Sequence, residues 1–185
     1  MLIETKNNQK ISLNNLSSND LDHLADYLHQ LSHDTKKRFS PHGFDMQSLI
    51  DIYTRSDKYH GYIAREMEEN IIVAYSIIKI GYLEHDRERL ASYGVKPDEN
   101  TDSTFAPSVA DKWQGMGIGN QLLQFIISDI KSKQINRIIL WGGVQMDNEN
   151  AVNYYLKNGF KILGHFSYHG DNYDMALEMG NYKIT

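Results

Sequence analysis

The stretch "SVADKWQGMGIGNQLLQFI" (Ser108–Ile126) decides how this chain folds. A strand-like approach, Thr104–Val109, runs through Trp113-Gln114 into Gly115, Gly117 and Gly119, and a helical pattern follows without a further turn. Ile118, Leu122, Phe125, Ile126 and Ile130 share one face of that helix, and Lys131 and Lys133 stand near its negative end. A glycine turn opening a helix presents free N–H groups and positive dipole, so an anion, usually a phosphate, is its expected ligand. A Walker A loop requires GxxxxGK[ST], but Asn120 and Gln121 follow Gly119, so the lysine and hydroxyl are missing. A dinucleotide fingerprint, GxGxxG, is met at Gly115 and Gly117 but has Asn120 in third place. No acidic residue ends the next strand, "RIILW", to hold a ribose. Both nucleotide readings fail.

Outward from this centre, the chain reads as one domain, 1–185, without repeats or linkers. Lys10–Leu13 is a short strand. Leu21, Leu24, Ala25, Leu28 and Leu31 recur at helical spacing, "FSPHGFD" (Phe39–Asp45) ends that helix, and a second covers Met46–Thr54. Tyr59–Met67 and Ile71–Tyr82 are strands joined by a polar turn, the second nearly continuous in apolar residues as a central strand is. Glu84–Asp102 is polar and long for a connection, a lid or a partly disordered loop. "RIILWGGV" (Arg137–Val144) reads as one buried strand. Asn148 is a candidate cap for a helix ending near Asn158, with Gly159 at the left-handed stop. Phe160–Tyr168 and Tyr173–Met179 form a closing strand pair. The order β-α-α-β-β-β-α-β-α-β-β is a mixed α/β (α+β) sheet with helices on its faces.

Composition excludes several classes. The 185 residues are 41% hydrophobic and 23% charged, ordinary for a soluble globular protein. A net charge of −5, with no Lys/Arg run that supplies a compensating basic patch, speaks against nucleic-acid binding. The absence of cysteine excludes disulfides, thiolate zinc sites and cysteine nucleophiles. The N-terminus lacks an apolar signal core and no apolar run reaches ~18 residues, so cytoplasmic residence without a membrane is expected. His29 and His33 are four apart on the first helix but have no third ligand at suitable spacing, so no metal is expected.

"VADKWQGMGIG" (Val109–Gly119) resembles the V-x-x-x-x-[QR]-G-x-G-[IVL]-G signature of the GNAT superfamily of N-acetyltransferases. "DNENAVNYYLKNGF" (Asp147–Phe160) is similar to the family's N-x-x-A-x-x-x-Y-x-K-x-G-F segment, with Asn148, Ala151, Tyr155, Lys157, Gly159 and Phe160 in place. "LSHDTKKRF", "DKYHGYIA" and "VADKWQGMGIG" together faintly resemble the acetyltransferase domain of bacterial protein-lysine acetyltransferases. The resemblance implies a mostly antiparallel sheet of about six to seven strands, about four helices and a splayed central strand pair. It also implies acetyl-CoA as cofactor and an amine as acceptor.

On that resemblance, the backbone amides of Gln114, Gly115, Met116, Gly117, Ile118 and Gly119 wrap the pyrophosphate of coenzyme A. Ser108, Val109 and Ala110, Val109 foremost, offer N–H groups to pantetheine and the thioester oxygen. Tyr155 is the general acid for the departing thiolate, with Tyr154 as fallback, and Asn148 contacts the cofactor or merely caps its helix. Many relatives carry a glutamate near the positions of Thr104 or Phe105, where this chain has "TDSTFAPSV". Asp102 is the nearest candidate base; Glu84, His85, Asp86 or a water chain are the others. Phe39, His42 and Asp45, with Glu84, are candidate acceptor contacts. The acceptor is a small-molecule amine or a protein lysine or N-terminal amine, and the enzyme a monomer or homodimer. A non-catalytic acyl-CoA sensor is the alternative.

Overall fold

Residues 1–182 are described by a computed structural model. Nine strands and six α-helices stand among them, in the order β1 (Leu2–Glu4), β2 (Lys10–Asn15), α1 (Leu21–Gln30), α2 (His33–Arg38), α3 (Met46–Arg55), β3 (Tyr59–Glu66), β4 (Ile71–Ile80), α4 (Arg87–Ser92), β5 (Asp102–Val109), α5 (Ile118–Lys131), β6 (Arg137–Leu140), β7 (Val144–Gln145), α6 (Glu149–Lys157), β8 (Lys161–Ser167) and β9 (Asp171–Glu178). The chain divides into two compact units, Met1–Ile78 with Ala106–Ser128, and Lys79–Phe105 with the residues from Asp129 onward.

In the first unit the strand order is β1-β2-β3-β4, then the C-terminal half of β5. β1 pairs antiparallel with β2, and β2 with β3, in register from Ile11↔Glu66 to Asn15↔Tyr62. β4 is buried from Ile72 through Ile78, as its unbroken apolar run requires of a strand covered on both faces. α2 and α3 start where a side chain satisfies an orphan amide, and a capping contact precedes α1. Asp20 accepts from the Ser17 amide at 2.9 Å just before α1, Ser32 accepts from the Thr35 amide on α2, and Asp45 from the Ser48 amide on α3. On α1, Leu21, Leu24, Ala25 and Leu28 are buried at the predicted spacing. On α5, Ile118, Leu122, Leu123, Ile126 and Ile127 are buried, each burial contributing about 1.5–3 kcal/mol of transfer free energy. Phe125 packs edge-on against Tyr62 of β3.

In the second unit, β5 pairs in parallel with β6 from Asp102↔Arg137 to Phe105↔Leu140. β6 and β7 lie antiparallel along one edge of β9 and β8 along the other. "RIILWGGV" is therefore two strands rather than one. Gly142 and Gly143, at φ +66° and +75°, turn the chain between them. Glu84–Asp102 is likewise more ordered than a loop. It holds a 3-10 turn at Glu84–Asp86 and then α4, whose Leu90 is buried with Tyr82, Ile139 and Ala176. Tyr93 lies over Gly164, where a Cβ would come within 2.2 Å of its ring, and its hydroxyl donates to the His165 carbonyl. Arg89 binds Asp174 of β9 through two hydrogen bonds and Asp86 through an ion pair. The strand and helix counts exceed the expected six to seven and four because β1, β7, α2 and α4 are short.

Candidate active site

The glycine turn is built from its upstream end. The Asp111 carboxylate accepts from the Ser32 and Thr35 hydroxyls at 3.0 and 2.9 Å, tying the 3-10 turn Asp111–Trp113 to the start of α2. Gln114 Nε2 donates to the Val109 carbonyl at 3.1 Å, closing the corner between strand and turn. Gly115 and Gly117 then take φ of +75° and +88°, and nothing lies within 4 Å of where a Cβ would stand on either. The amides of Gly115, Met116, Gly117 and Ile118 have no partner among the described residues, while the Gly117 carbonyl accepts from Gln121 and starts α5. The turn is thus an uncovered row of donors at the positive end of a four-turn helix, which is a seat for an anion.

Next to it, β5 changes partners. Its parallel register with β6 ends at Phe105, while the strand itself continues to Val109. The Ala110 amide donates to the Val73 carbonyl of β4 at 2.9 Å. Strand alternation turns the Val109 amide toward the opposite edge, where register pairing has stopped. Of the three amides expected to be exposed, Val109 is the one left available, because Ala110 and, by the same alternation, Ser108 face β4. The Ser108 side chain is also committed: its Oγ donates to the Tyr75 carbonyl at 3.2 Å and accepts from the Tyr27 hydroxyl at 3.0 Å.

In the second unit, Tyr155 sits on α6, buried, its ring against Tyr154 and Phe160 with centroids at 5.1 and 5.3 Å. Burial pushes its hydroxyl above the ordinary tyrosine range, so it holds its proton throughout the neutral range. That hydroxyl has no hydrogen-bond partner among the described residues. Tyr154, whose hydroxyl burial also raises, is the neighbour on the same turn. Asn148 caps α6, its side-chain oxygen accepting from the Ala151 amide at 3.3 Å, and Gly159 follows the helix at φ +85°.

The model of the Acetyltransferase (GNAT) family matches residues 25–160. The chain belongs to the GNAT acetyltransferase family. Its fold is similar to that of the GNAT domain of S. lividans PAT, with a TM-score of 0.72 at 15% identity over 96% of each chain. It is also similar to spermidine N-acetyltransferase from Vibrio cholerae, solved with CoA and spermine, with a TM-score of 0.68 at 17% identity over 93% of this chain and 97% of that one. The ribosomal-protein-S18-alanine N-acetyltransferase of Escherichia coli gives a TM-score of 0.61 at 16% identity over 91% and 94%. No curated protein matches by sequence. Acetyl-CoA is the cofactor of the GNAT family, and the glycine turn fits it: four open amides and two bare, positive-φ glycines admit phosphate oxygens against the backbone.

The remaining expected site residues of this GNAT chain scatter. Asp102 begins β5, at the end of the strand remote from the glycine turn, roughly 20 Å along the backbone from Val109. Its buried carboxylate faces Arg137 at 3.4 Å and accepts from the Asp98 amide at 2.9 Å, so it fastens the loop to β6. Glu84 is exposed and paired with Arg87 at 3.0 Å, and Asp86 is held by Arg89. Asp45 is the α3 cap. Phe39 and His42, by contrast, come together with Phe44 and Tyr75 in one aromatic cluster. His29 lies in the last turn of α1 and His33 begins α2; among the described residues no three metal-ligating side chains converge. No helix there is long and apolar enough to cross a membrane. Sequence reading passed over Tyr27, Tyr53, Tyr75 and Asp111. Tyr75 carried a signal, a polar group inside an unbroken apolar strand, but its partners are distant in sequence.

Proposed function

We propose that this chain is an N-acetyltransferase that moves the acetyl group of acetyl-CoA directly to a primary amine of a small molecule or to a lysine or N-terminal amine. The observation that carries the reading is the glycine turn, with open amides from Gly115 to Ile118 and bare Cα atoms at Gly115 and Gly117. Gln114 through Gly119 hold the pyrophosphate. Val109 offers its N–H to the acyl oxygen, where developing negative charge is stabilised. The bound cofactor supplies an acetyl group activated as a thioester. Tyr155 holds a proton at Oη, available to the leaving sulfur. Asn148 fixes the first turn of the helix that carries Tyr155. Both compact units belong, in this reading, to one acetyltransferase domain, supported by a family match that runs through both.

The test is thiol release from acetyl-CoA in the presence of spermidine, free amino acids, amino sugars, lysine peptides and peptides with free N-termini. At least one class should support turnover above the amine-free rate. If calorimetry detects acetyl-CoA binding but no amine is acetylated, the chain is an acyl-CoA sensor instead.

A further inference from the structure

β5 carries no glutamate near Thr104 and its Asp102 is engaged by Arg137 and the Asp98 amide, yet the first unit contains a different proton path one strand away. His42 Nδ1 lies 2.7 Å from the Gly43 carbonyl, which can only accept, so Nδ1 carries the ring proton. Nε2 is then the acceptor, and the Tyr75 hydroxyl, 2.9 Å away, donates to it. With its own proton given to His42, Tyr75 must accept at its oxygen, and the hydroxyl hydrogen-bonded there is that of Tyr53. The chain therefore has one direction, Tyr53 to Tyr75 to His42. Its far end, the Tyr53 oxygen, accepts from no other group among the described residues. Gly61 of β3 makes room for it, since a Cβ there would stand 2.7 Å from the Tyr53 hydroxyl. Tyr75 stands beside Ser108 of β5, which donates to its carbonyl, so the path lies next to the strand that carries Val109.

We propose that Tyr53, Tyr75 and His42 form the proton relay that deprotonates the acceptor amine, replacing the missing carboxylate. This rests on the acetyltransferase reading. As the amine nitrogen bonds to the acyl carbon and the carbon–sulfur pair leaves on sulfur, the nitrogen loses one proton to Tyr53 Oη. Tyr53 passes its own proton to Tyr75, and Tyr75 passes its own to His42 Nε2. Once the product has left, the imidazolium returns its Nε2 proton through Tyr75 and Tyr53 to solvent, which restores the starting tautomer, and the sulfur is protonated by Tyr155. Neither tyrosine ionises at any stage, in keeping with burial that raises both hydroxyls above their usual range. Burial likewise lowers His42, against the smaller opposing effects of the Gly43 carbonyl and the Asp45 carboxylate, so the ring is neutral and ready to accept at pH 7. Tyr27, the other titratable group facing Tyr75, donates to Ser108 and stays outside the path.

Three measurements test the relay. Nitrogen-15 NMR of the protein without acetyl-CoA should show His42 as the neutral Nδ1–H tautomer at pH 7; an Nε2–H tautomer or an imidazolium would overturn the direction of transfer. With the best amine of the panel, Tyr53→Phe and His42→Gln should each lower kcat by ~10²-fold or more, with acetyl-CoA affinity by calorimetry within about twofold of wild type. Wild-type kcat at saturating amine should fall only below the ordinary imidazole pKa of about 6.5, because the relay needs the unprotonated ring, and His42→Gln should lose that limb. An active wild type whose His42→Gln variant keeps its rate and pH profile overturns the relay alone. A wild type that acetylates no amine overturns the acetyltransferase reading and the relay with it.

Discussion

Gly117 shows how little a functional residue need contain. Its φ of +88° costs an L-residue about 1–2 kcal/mol, and the space beside its Cα is open. The lack of a side chain is therefore not required by packing, and the anion seat explains it. Gly117→Asp should leave a folded protein whose affinity for acetyl-CoA falls at least ~10-fold by calorimetry, through bulk and through charge beside the phosphates. Unchanged affinity would remove the phosphate from this turn. Tyr155 is the complementary case, because its ring is packed on Phe160 and Tyr154 while its hydroxyl has no partner among the described residues. Tyr155→Phe keeps the packing and deletes the proton. Turnover should drop ~10²-fold with cofactor binding retained, and an unaffected rate transfers the acid role to Tyr154 or to water.

Among the elements, α6 joins the second motif to the chemistry, and its start depends on one side chain. Asn148→Ala removes the acceptor for the Ala151 amide and should lower stability by about 0.5–2 kcal/mol in chemical denaturation, whereas Asn148→Asp should retain most of it. If acetyl-CoA affinity is unchanged in a destabilised Asn148→Ala, the residue acts as a cap alone. Elements with strong local signals were legible in advance. α5 has its apolar stripe, β4 its β-branched run, and α6 its cap and terminal glycine. The short elements were not. α2 buries none of its six residues and is fixed by Asp111, 76 residues beyond Thr35 and 79 beyond Ser32 in sequence. β1 exists through its pairing with β2. β7 is cut from β6 by two glycines that also suit a buried strand's close packing.

At the scale of the whole molecule, the polar segment before β5 is held by a charge network as well as by the apolar packing of Leu90 and Tyr93. Arg89 stands between Asp86 and Asp174, carboxylates 3% and 1% exposed, with its guanidinium 3.8 Å over the Phe166 ring. Arg89→Met leaves two buried carboxylates without their cation and should cost about 3–5 kcal/mol in thermal or chemical unfolding at neutral pH. Burial already raises Asp86 above the usual carboxylate range. A raised folded-state pKa means the fold favours the acid form, so stability is present at low pH and lost as pH rises through that pKa. The deficit of Arg89→Met should therefore shrink between about pH 7.5 and about pH 4.5, and a deficit independent of pH would assign it to lost packing instead. The sequence by itself determined the glycine turn, the helices on either side of the chemistry and the kind of ligand that turn accepts. Those are local matters, set by which residues tolerate positive φ, cap a helix or repeat at 3.6. The partners of Asp102, the freedom of the Val109 amide, the anchoring of α4 and the order Tyr53–Tyr75–His42 were decided only by the tertiary structure. Each depends on groups brought together across long stretches of chain by burial and strand register, and no local pattern records such pairings.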